Sequence, residues 1–163
     1  VESRGNWASI LSSVRSQLGY EKKTLNNVII TPNQKDMRDV YSRAKVLLAL
    51  SLWWESLPRV VIEATLNSIP VIGTNRGGIP EAAAEKENLI DLQEQYHEPP
   101  YNKIPPTEKI TEICNKILTI IDNPEEYKRQ TDSAKKKASL HDINLRAQKL
   151  SITLSENAQK NKN

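Results

Sequence analysis

Apolar residues fall along this chain in two rhythms: short unbroken runs, and stripes spaced three or four apart. Val46-Leu47-Leu48-Ala49-Leu50 is the clearest run and predicts a strand buried on both faces, as in a parallel sheet covered by helices. Pro70 to Gly73 is a second, shorter run and predicts the next strand. Between them, Ser51 to Glu55 reads as a turn and Ser56 as a helix N-cap. Leu57 and Pro58 fall in the first helical turn, where a missing N–H costs nothing. The helix runs to about Leu66 and stops near Asn67-Ser68. Thr74 to Gly78 is a glycine turn into Ile79-Pro80-Glu81. The two strands of this unit open toward one edge, where an open α/β sheet binds its ligand.

The same patterns extend both ways. Trp7 to Leu18 carries apolar residues at 7, 10, 11, 14 and 18, a helical period closed by Gly19. Val28 to Thr31 is a short buried strand ended by Pro32-Asn33, and Asp36 to Ala44 a helix with Met37, Val40, Tyr41 and Ala44 inward. Strand and helix alternating at this spacing imply a parallel sheet with right-handed crossovers. Beyond Glu81, Ala82 to Glu85 is helical and Asn88 to Leu92 is the last or edge strand. Gln93 to Pro106 holds four prolines and reads as a loop. Thr107 to Ile121 is an amphipathic helix with Thr107 as N-cap and Ile110, Ile113, Cys114, Ile117, Leu118 and Ile121 inward. Asp122-Asn123-Pro124 breaks it, and Pro124 to Ser139 and His141 to Leu154 are further helices. The fold class is therefore α/β, a Rossmann-like parallel sheet flanked by helices, with extra C-terminal helices. Residues 1–155 form the domain and 156–163 a disordered tail.

Composition narrows the chemistry. The 163 residues suffice for one domain with a sizeable core, which Leu, Ile and Val must fill because Phe is absent. The net charge of +3 sits mainly in the C-terminal helices. It is too small to argue for nucleic acid, though it suits anionic ligands or a membrane surface. One cysteine, Cys114, excludes a disulfide framework and a cysteine cluster for zinc. His97 and His141 match no metal spacing. No run approaches the roughly 18 apolar residues of a membrane span, and the start Val1-Glu2-Ser3-Arg4 has neither Met nor a signal peptide. A cytoplasmic protein, or an excised piece of one, is expected, with peripheral attachment at the inner membrane face compatible with the basic charge.

Two carboxylates define the candidate site. Glu55 precedes the helix and Glu63 lies within it, with seven residues between them. The helix start from Ser56 to Val60 supplies free backbone N–H groups and a positive dipole end, which suit a phosphate. A carboxylate inside the helix can reach back to two hydroxyls of a ribose or sugar. One just before it can stand beyond the phosphate, where a transferred group would lie. The chemistry that needs this layout is nucleotide-sugar binding. The plainer alternatives are a solvated helix carboxylate at Glu63 and a helix-start charge at Glu55.

These residues also carry a resemblance. ESLPRVVIE resembles the E-x7-E motif of retaining GT-B glycosyltransferases, family 4, and EATLNSIPVIGTNRGGIPE is similar to the run that follows it there. NVIITPNQKDMRDVYSRAKVLLALS resembles the preceding strand–helix–strand. The resemblance covers about Val28 to Asp91 well, and implies the C-terminal, nucleotide-sugar-binding half of a GT-B fold. By it, Glu63 holds the ribose and Glu55 is the catalytic carboxylate, contacting the transferred sugar and stabilising positive charge on its ring. Ser56, Leu57, Pro58, Arg59 and Val60 hold the distal phosphate or sugar, and Thr31 and Pro32 read the base. Gly77 and Gly78 are further candidates, with a structural turn as their alternative. Pro58 stands where many members have Gly, so position 58 donates no hydrogen bond. Trp53-Trp54 is a candidate sugar platform against an alternative of packing; Tyr20, Tyr41 and Cys114 read as structural.

What the resemblance further implies is a UDP-hexose donor, a glycan or lipid-linked acceptor held by an absent N-terminal domain, transfer with retention in polysaccharide biosynthesis, and no metal or other cofactor. The family's diphosphate-binding Arg and Lys belong to a loop upstream of anything matched here, so the piece alone is expected to bind donor weakly and turn nothing over. Two other classes compete: a non-catalytic, receiver-like module that binds a partner or phosphate, and a GT-B nucleotide-sugar epimerase. A receiver requires an acidic cluster at its first strand, which is missing. A dinucleotide-dependent dehydrogenase fails for want of G-x-G-x-x-G.

Overall fold

The structure, a computed structural model, describes residues 12, 15–17, 19, 29, 31, 34–99, 101 and 103–160. The chain divides into two compact units, Val1–Asp39 and Val40–Asn163. In the first, Ser12 and residues 15–17 are helical, and Gly19 follows at φ 67 with its N–H on the Ser16 carbonyl. Ile29 is 87% exposed, and neither it nor Thr31 lies in a strand. The rest of the predicted strand, Val28 and Ile30, lies outside the described residues, as do Tyr20 and Pro32.

The second unit is a parallel sheet with helices on both faces. Its strands are β1 (Leu47–Ala49), β2 (Val71–Thr74) and β3 (Leu89–Ile90), in that spatial order. Leu47 pairs with Val71, Ala49 with Gly73, and Gly73 in turn with Leu89. Helix α1 (Arg38–Arg43) precedes β1, α2 (Arg59–Leu66) joins β1 to β2, and α3 (Ile79–Ala82) follows β2. After β3 come α4 (Thr107–Asp122), α5 (Pro124–Ala138) and α6 (Ile143–Lys160).

Strand alternation sorts β2 between two cores. Val71 packs with Tyr41 of α1, Val61 and Ala64 of α2, and Ala82 and Ala83. Ile72, one residue on, points to the opposite face with Ile90, under Ile113, Ile117 and Ile120 of α4. This double cover makes every residue of β2 buried. Strand β1 departs from its predicted burial on both faces. Helix α4 reaches Ile72 and Ile90 but leaves Leu48, the register partner of Ile72, 46% exposed.

Element ends moved for local reasons. Helix α2 closes where predicted, at Asn67, in a Schellman arrangement: Ser68 at φ 59 donates to the Thr65 carbonyl and Ile69 to the Ala64 carbonyl. The helix expected over Ala82 to Glu85 lies at Ile79–Ala82 instead, because Pro80 suits a first turn and Ala83 turns extended at ψ 146. Thr107 is the first helical residue of α4 and not its cap, since Lys109 and Ile110 bond the carbonyl of Pro106. The inward stripe of α4 is Ile113, Ile117 and Ile120; Ile110, Cys114, Leu118 and Ile121 face outward, as does Met37 beside α1. Asn123 caps α5 by accepting from the N–H groups of Glu125 and Glu126. Helix α6 runs through Lys160, into the segment expected as a disordered tail, on the strong helix formers Ala158, Gln159 and Lys160.

A polar chain locks α5 to the sheet. The buried Asn88 amide donates to the Val71 carbonyl at 3.1 Å and to Gln130 Oε1 at 2.7 Å. Gln130 Nε2 passes the chain on to Glu126 Oε1 at 2.7 Å, and Arg129 pairs with Glu126, Glu87 and Glu85. Because Asn88 and Gln130 are both buried, Gln130→Ala leaves a donor unpaired and should lower stability by about 1–3 kcal/mol in urea unfolding. The Arg129 guanidinium and then the Gln130 amide hold Glu126 down to about 2. A depressed carboxylate contributes stability that is present above its ordinary value of 4.5 and lost as pH falls through about 2. Glu126→Gln should therefore flatten the stability–pH curve between those limits, measured by urea midpoints at stepped pH.

Candidate functional site

The strand exits converge on one edge and are tied together there. Thr74, the last residue of β2, donates from Oγ1 to the Ser51 carbonyl at 2.6 Å, which pins the turn after β1. Asn75 reaches the other way, its N–H to the Ile90 carbonyl at 2.9 Å and its Nδ2 to Asp91 Oδ1 at 2.8 Å. The residue types that follow a strand end thus join three exits into one platform.

The Leu50–Pro58 turn lies on that platform and carries Glu55, half-buried. What holds it is the glycine turn after β2. The Gly78 N–H donates to the Glu55 carbonyl at 2.6 Å. A Cβ on Gly77 would run into the Glu55 backbone, 2.8 Å from its nitrogen, and Gly77 also stands at φ 57, which side chains rarely adopt. A Cβ on Gly78 would meet the Ser56 backbone, 2.9 Å from its carbonyl carbon. The glycines read as candidates for close approach to a ligand therefore make that approach to the chain's own Glu55 and Ser56.

This clasp moves the helix start. Ser56 was expected as the N-cap, but the N-cap position of α2 is Pro58, at φ −74 and ψ 99, with no side-chain cap bond. Proline disfavours helical backbone in the residue before it, so Leu57 cannot join the helix, and the Ser56 backbone lies against Gly78. Val61 and Ile62 bond the Pro58 carbonyl. The N–H groups of Arg59 and Val60 precede any carbonyl that the helix could offer them, so they face outward for an acceptor. Both residues are exposed, with Ser56 and Leu57, while Pro58 is buried.

Glu63 lies one turn further along α2, half-buried, and accepts from the Tyr41 hydroxyl through Oε2 at 2.6 Å. Burial, and after it the Glu63 carboxylate, push the Tyr41 phenol up to about 12, so it remains a donor at neutral pH. One carboxylate oxygen is thereby oriented and Oε1 remains for another donor. The sequence reading of Tyr41 as structural missed this pairing; its only signal was a tyrosine on the helix before β1.

Trp53 and Trp54 are 60% and 64% exposed, so neither is core. Tyr101 lies against Trp53 and Arg76 over Trp54. His97 is buried in the loop after β3, with Nδ1 3.1 Å from the Leu52 carbonyl; an isolated loop histidine gave no sign of that. Thr31 is exposed in the first unit, and Pro32 lies outside the described residues. Among the described residues, no three His, Cys, Asp or Glu side chains are grouped to hold a metal ion. A groove of about 720 Å³ lies on the Asn88 side of the sheet, between α4 and α5, and includes neither Glu55 nor Glu63. No helix among the described residues is long and apolar enough to cross a membrane.

Residues 15–137, more than half of the chain, match the family model described as glycosyl transferases group 1. Among curated proteins, the chain is 41% identical over 71 residues to spore coat protein SA of Bacillus subtilis (strain 168). That match takes in 44% of this chain and 19% of the relative, so the chain spans about a fifth of that protein's length.

The contact at Gly78 is backbone against backbone, at an ordinary φ of −86, so only steric crowding opposes a side chain there. Gly78→Ala should destabilise the chain by roughly 1–3 kcal/mol, read as a shifted urea midpoint.

Proposed function

We infer the function from one premise: the chain belongs to the glycosyl transferases group 1 family. It is a donor-binding domain for glycosyl transfer, and its edge takes a nucleotide diphosphate sugar, UDP-hexose by our reading. The observation that carries this is the α2 start. A tyrosine-held carboxylate, Glu63, stands one turn inside the helix, and Glu55, its backbone held by the glycine turn, stands just before it.

On this reading Glu63 Oε1 accepts from the ribose hydroxyls while Tyr41 holds Oε2. The outward N–H groups of Arg59 and Val60, with the positive end of α2, meet the distal phosphate. A helix terminus contributes typically 0.3–1 kcal/mol to such an anion, a modest share beside a charge-assisted hydrogen bond at about 1.5–3 kcal/mol. Pro58 donates nothing, so the phosphate contacts fall to the positions after it. Glu55 lies where the hexose emerges. As the bond from the anomeric carbon to the diphosphate oxygen breaks, positive charge grows on the ring and negative charge on the leaving diphosphate. The Glu55 carboxylate stabilises the first and the helix N–H groups the second. The acceptor oxygen, on a glycan or lipid-linked sugar, then bonds the anomeric carbon with retention, and its proton passes to the departing diphosphate oxygen. This scheme assigns no role to a metal or other cofactor.

The test is an NMR titration of the chain with UDP, GDP and UDP-glucose. Saturable shifts at Arg59, Val60 and Glu63 are expected. Glu63→Ala should weaken binding by roughly 1.5–3 kcal/mol, about tenfold or more. Equal binding by Glu63→Ala, or no nucleotide bound at millimolar concentration, overturns the reading.

A further inference from the structure

The turn that carries Glu55 is contacted by a second segment of the chain. After β3, residues 93–99 pass through a short 3-10 turn at Glu94–Tyr96 and meet the turn at Leu52. Three contacts tie this strap down. Glu94 accepts from both terminal nitrogens of Arg76, Nη1 to Oε2 and Nη2 to Oε1, each at 2.8 Å. His97 Nδ1 lies 3.1 Å from the Leu52 carbonyl oxygen. Tyr101, turned to φ 58, sets its ring 5.4 Å from that of Trp53 at a 59° tilt.

Arg76 belongs to both sides of this arrangement. Its guanidinium carbon stands 4.8 Å from the ring centroid of Trp54, the residue before Glu55. Its backbone leads directly into Gly77 and Gly78, which lie against the Glu55 and Ser56 backbone, with the Gly78 N–H on the Glu55 carbonyl. The Arg76 side chain is only 19% exposed, although its partner Glu94 is 67% exposed, and its Nε is buried with no partner. A guanidinium stacked on an indole and gripped by a bidentate carboxylate is a strong, directional contact. It tolerates an unpaired buried N–H, a cost that a solvated surface arginine avoids. Lysine cannot reproduce it, having neither the planar fork nor the stacking face.

Resting on the donor reading above, we propose that Arg76 is a positioning residue for the sugar end of the site: it clasps the strap onto the Leu52–Glu55 turn and so fixes where the Glu55 carboxylate meets the transferred hexose. The side-chain contacts of Arg76, to Glu94 and Trp54, include neither Glu63 nor the first residues of α2. The two ends therefore separate experimentally.

The experiment measures UDP and UDP-glucose affinities of the unaltered chain, Arg76→Lys and Glu94→Gln, alongside amide hydrogen exchange. Both variants should hold UDP affinity within about twofold and lose about fivefold or more for UDP-glucose. The hydrogen-bonded amides of Tyr96 and His97 should exchange at least about tenfold faster, with β2 and α4 unchanged. An unchanged ratio of UDP-glucose to UDP affinity in both variants, with faster strap exchange, makes Arg76 a mere anchor and overturns the proposal. Unchanged exchange overturns the clasp itself. If the unaltered chain binds neither ligand, the donor reading fails and carries this proposal with it. Binding of both by the unaltered chain, with an unaltered ratio in the variants, overturns this proposal alone.

Discussion

One backbone hydrogen bond organises the edge where the strands exit: the Gly78 N–H on the Glu55 carbonyl, at 2.6 Å. Two lengths of main chain can lie this close only where neither carries a Cβ on the facing side, and the glycine pair supplies that. Much else follows from it. Glu55 is set between strand exits and does not wander in a solvent loop. Ser56 is withdrawn from capping, the helix begins after Pro58, and the first free N–H groups belong to Arg59 and Val60. The same turn presents Arg76 to Trp54 and to the loop after β3.

Around that contact the molecule divides its polar work between two ends of the sheet. At the exit edge the polar groups are held but partly open: Glu63 keeps one oxygen beyond its bond to Tyr41, and α2 keeps two outward N–H groups. At the entry side the buried groups close on one another. Asn88, Gln130, Glu126 and Arg129 form an unbroken chain that joins β2 to α5 and leaves few donors for a ligand. Satisfied networks rigidify, and this one gives the sheet a fixed base from which the exit turns project. The groove beside it is roomy but belongs to the closed side, so cavity size is a poor guide to chemistry in this fold.

The strap shows how chemistry far apart in sequence becomes one surface. Glu94, His97 and Tyr101 fall in a stretch whose prolines and polar residues predict only a loop. They land on Arg76, Leu52 and Trp53 because β3 lies beside β2 and its exit faces the same way. An aromatic pair next to a carboxylate reads locally as a sugar platform or as packing. Arg76 over Trp54 and Tyr101 beside Trp53 make it a held, exposed surface.

What the sequence determined by itself is whatever rests on short-range pattern. Unbroken apolar runs located β1 and β2, a helical stripe located α4, and Pro124 with Asn123 marked the break before α5. The two carboxylates with seven residues between them, joined to the glycine turn, carried the resemblance to glycosyltransferases, since backbone chemistry at a strand exit leaves a residue-type signature. What only the tertiary structure decided is everything set by contact between distant residues. Ile120 takes the core position in place of Ile121, because α4 crosses β2 and β3 at one rotation about its axis. The N-cap position of α2 falls at Pro58 and not at Ser56, whose backbone lies against Gly78. Tyr41 orients Glu63 across 22 positions of sequence, and Arg76 meets Glu94 across 18. Such pairings depend on how elements pack in three dimensions, and no local periodicity encodes that.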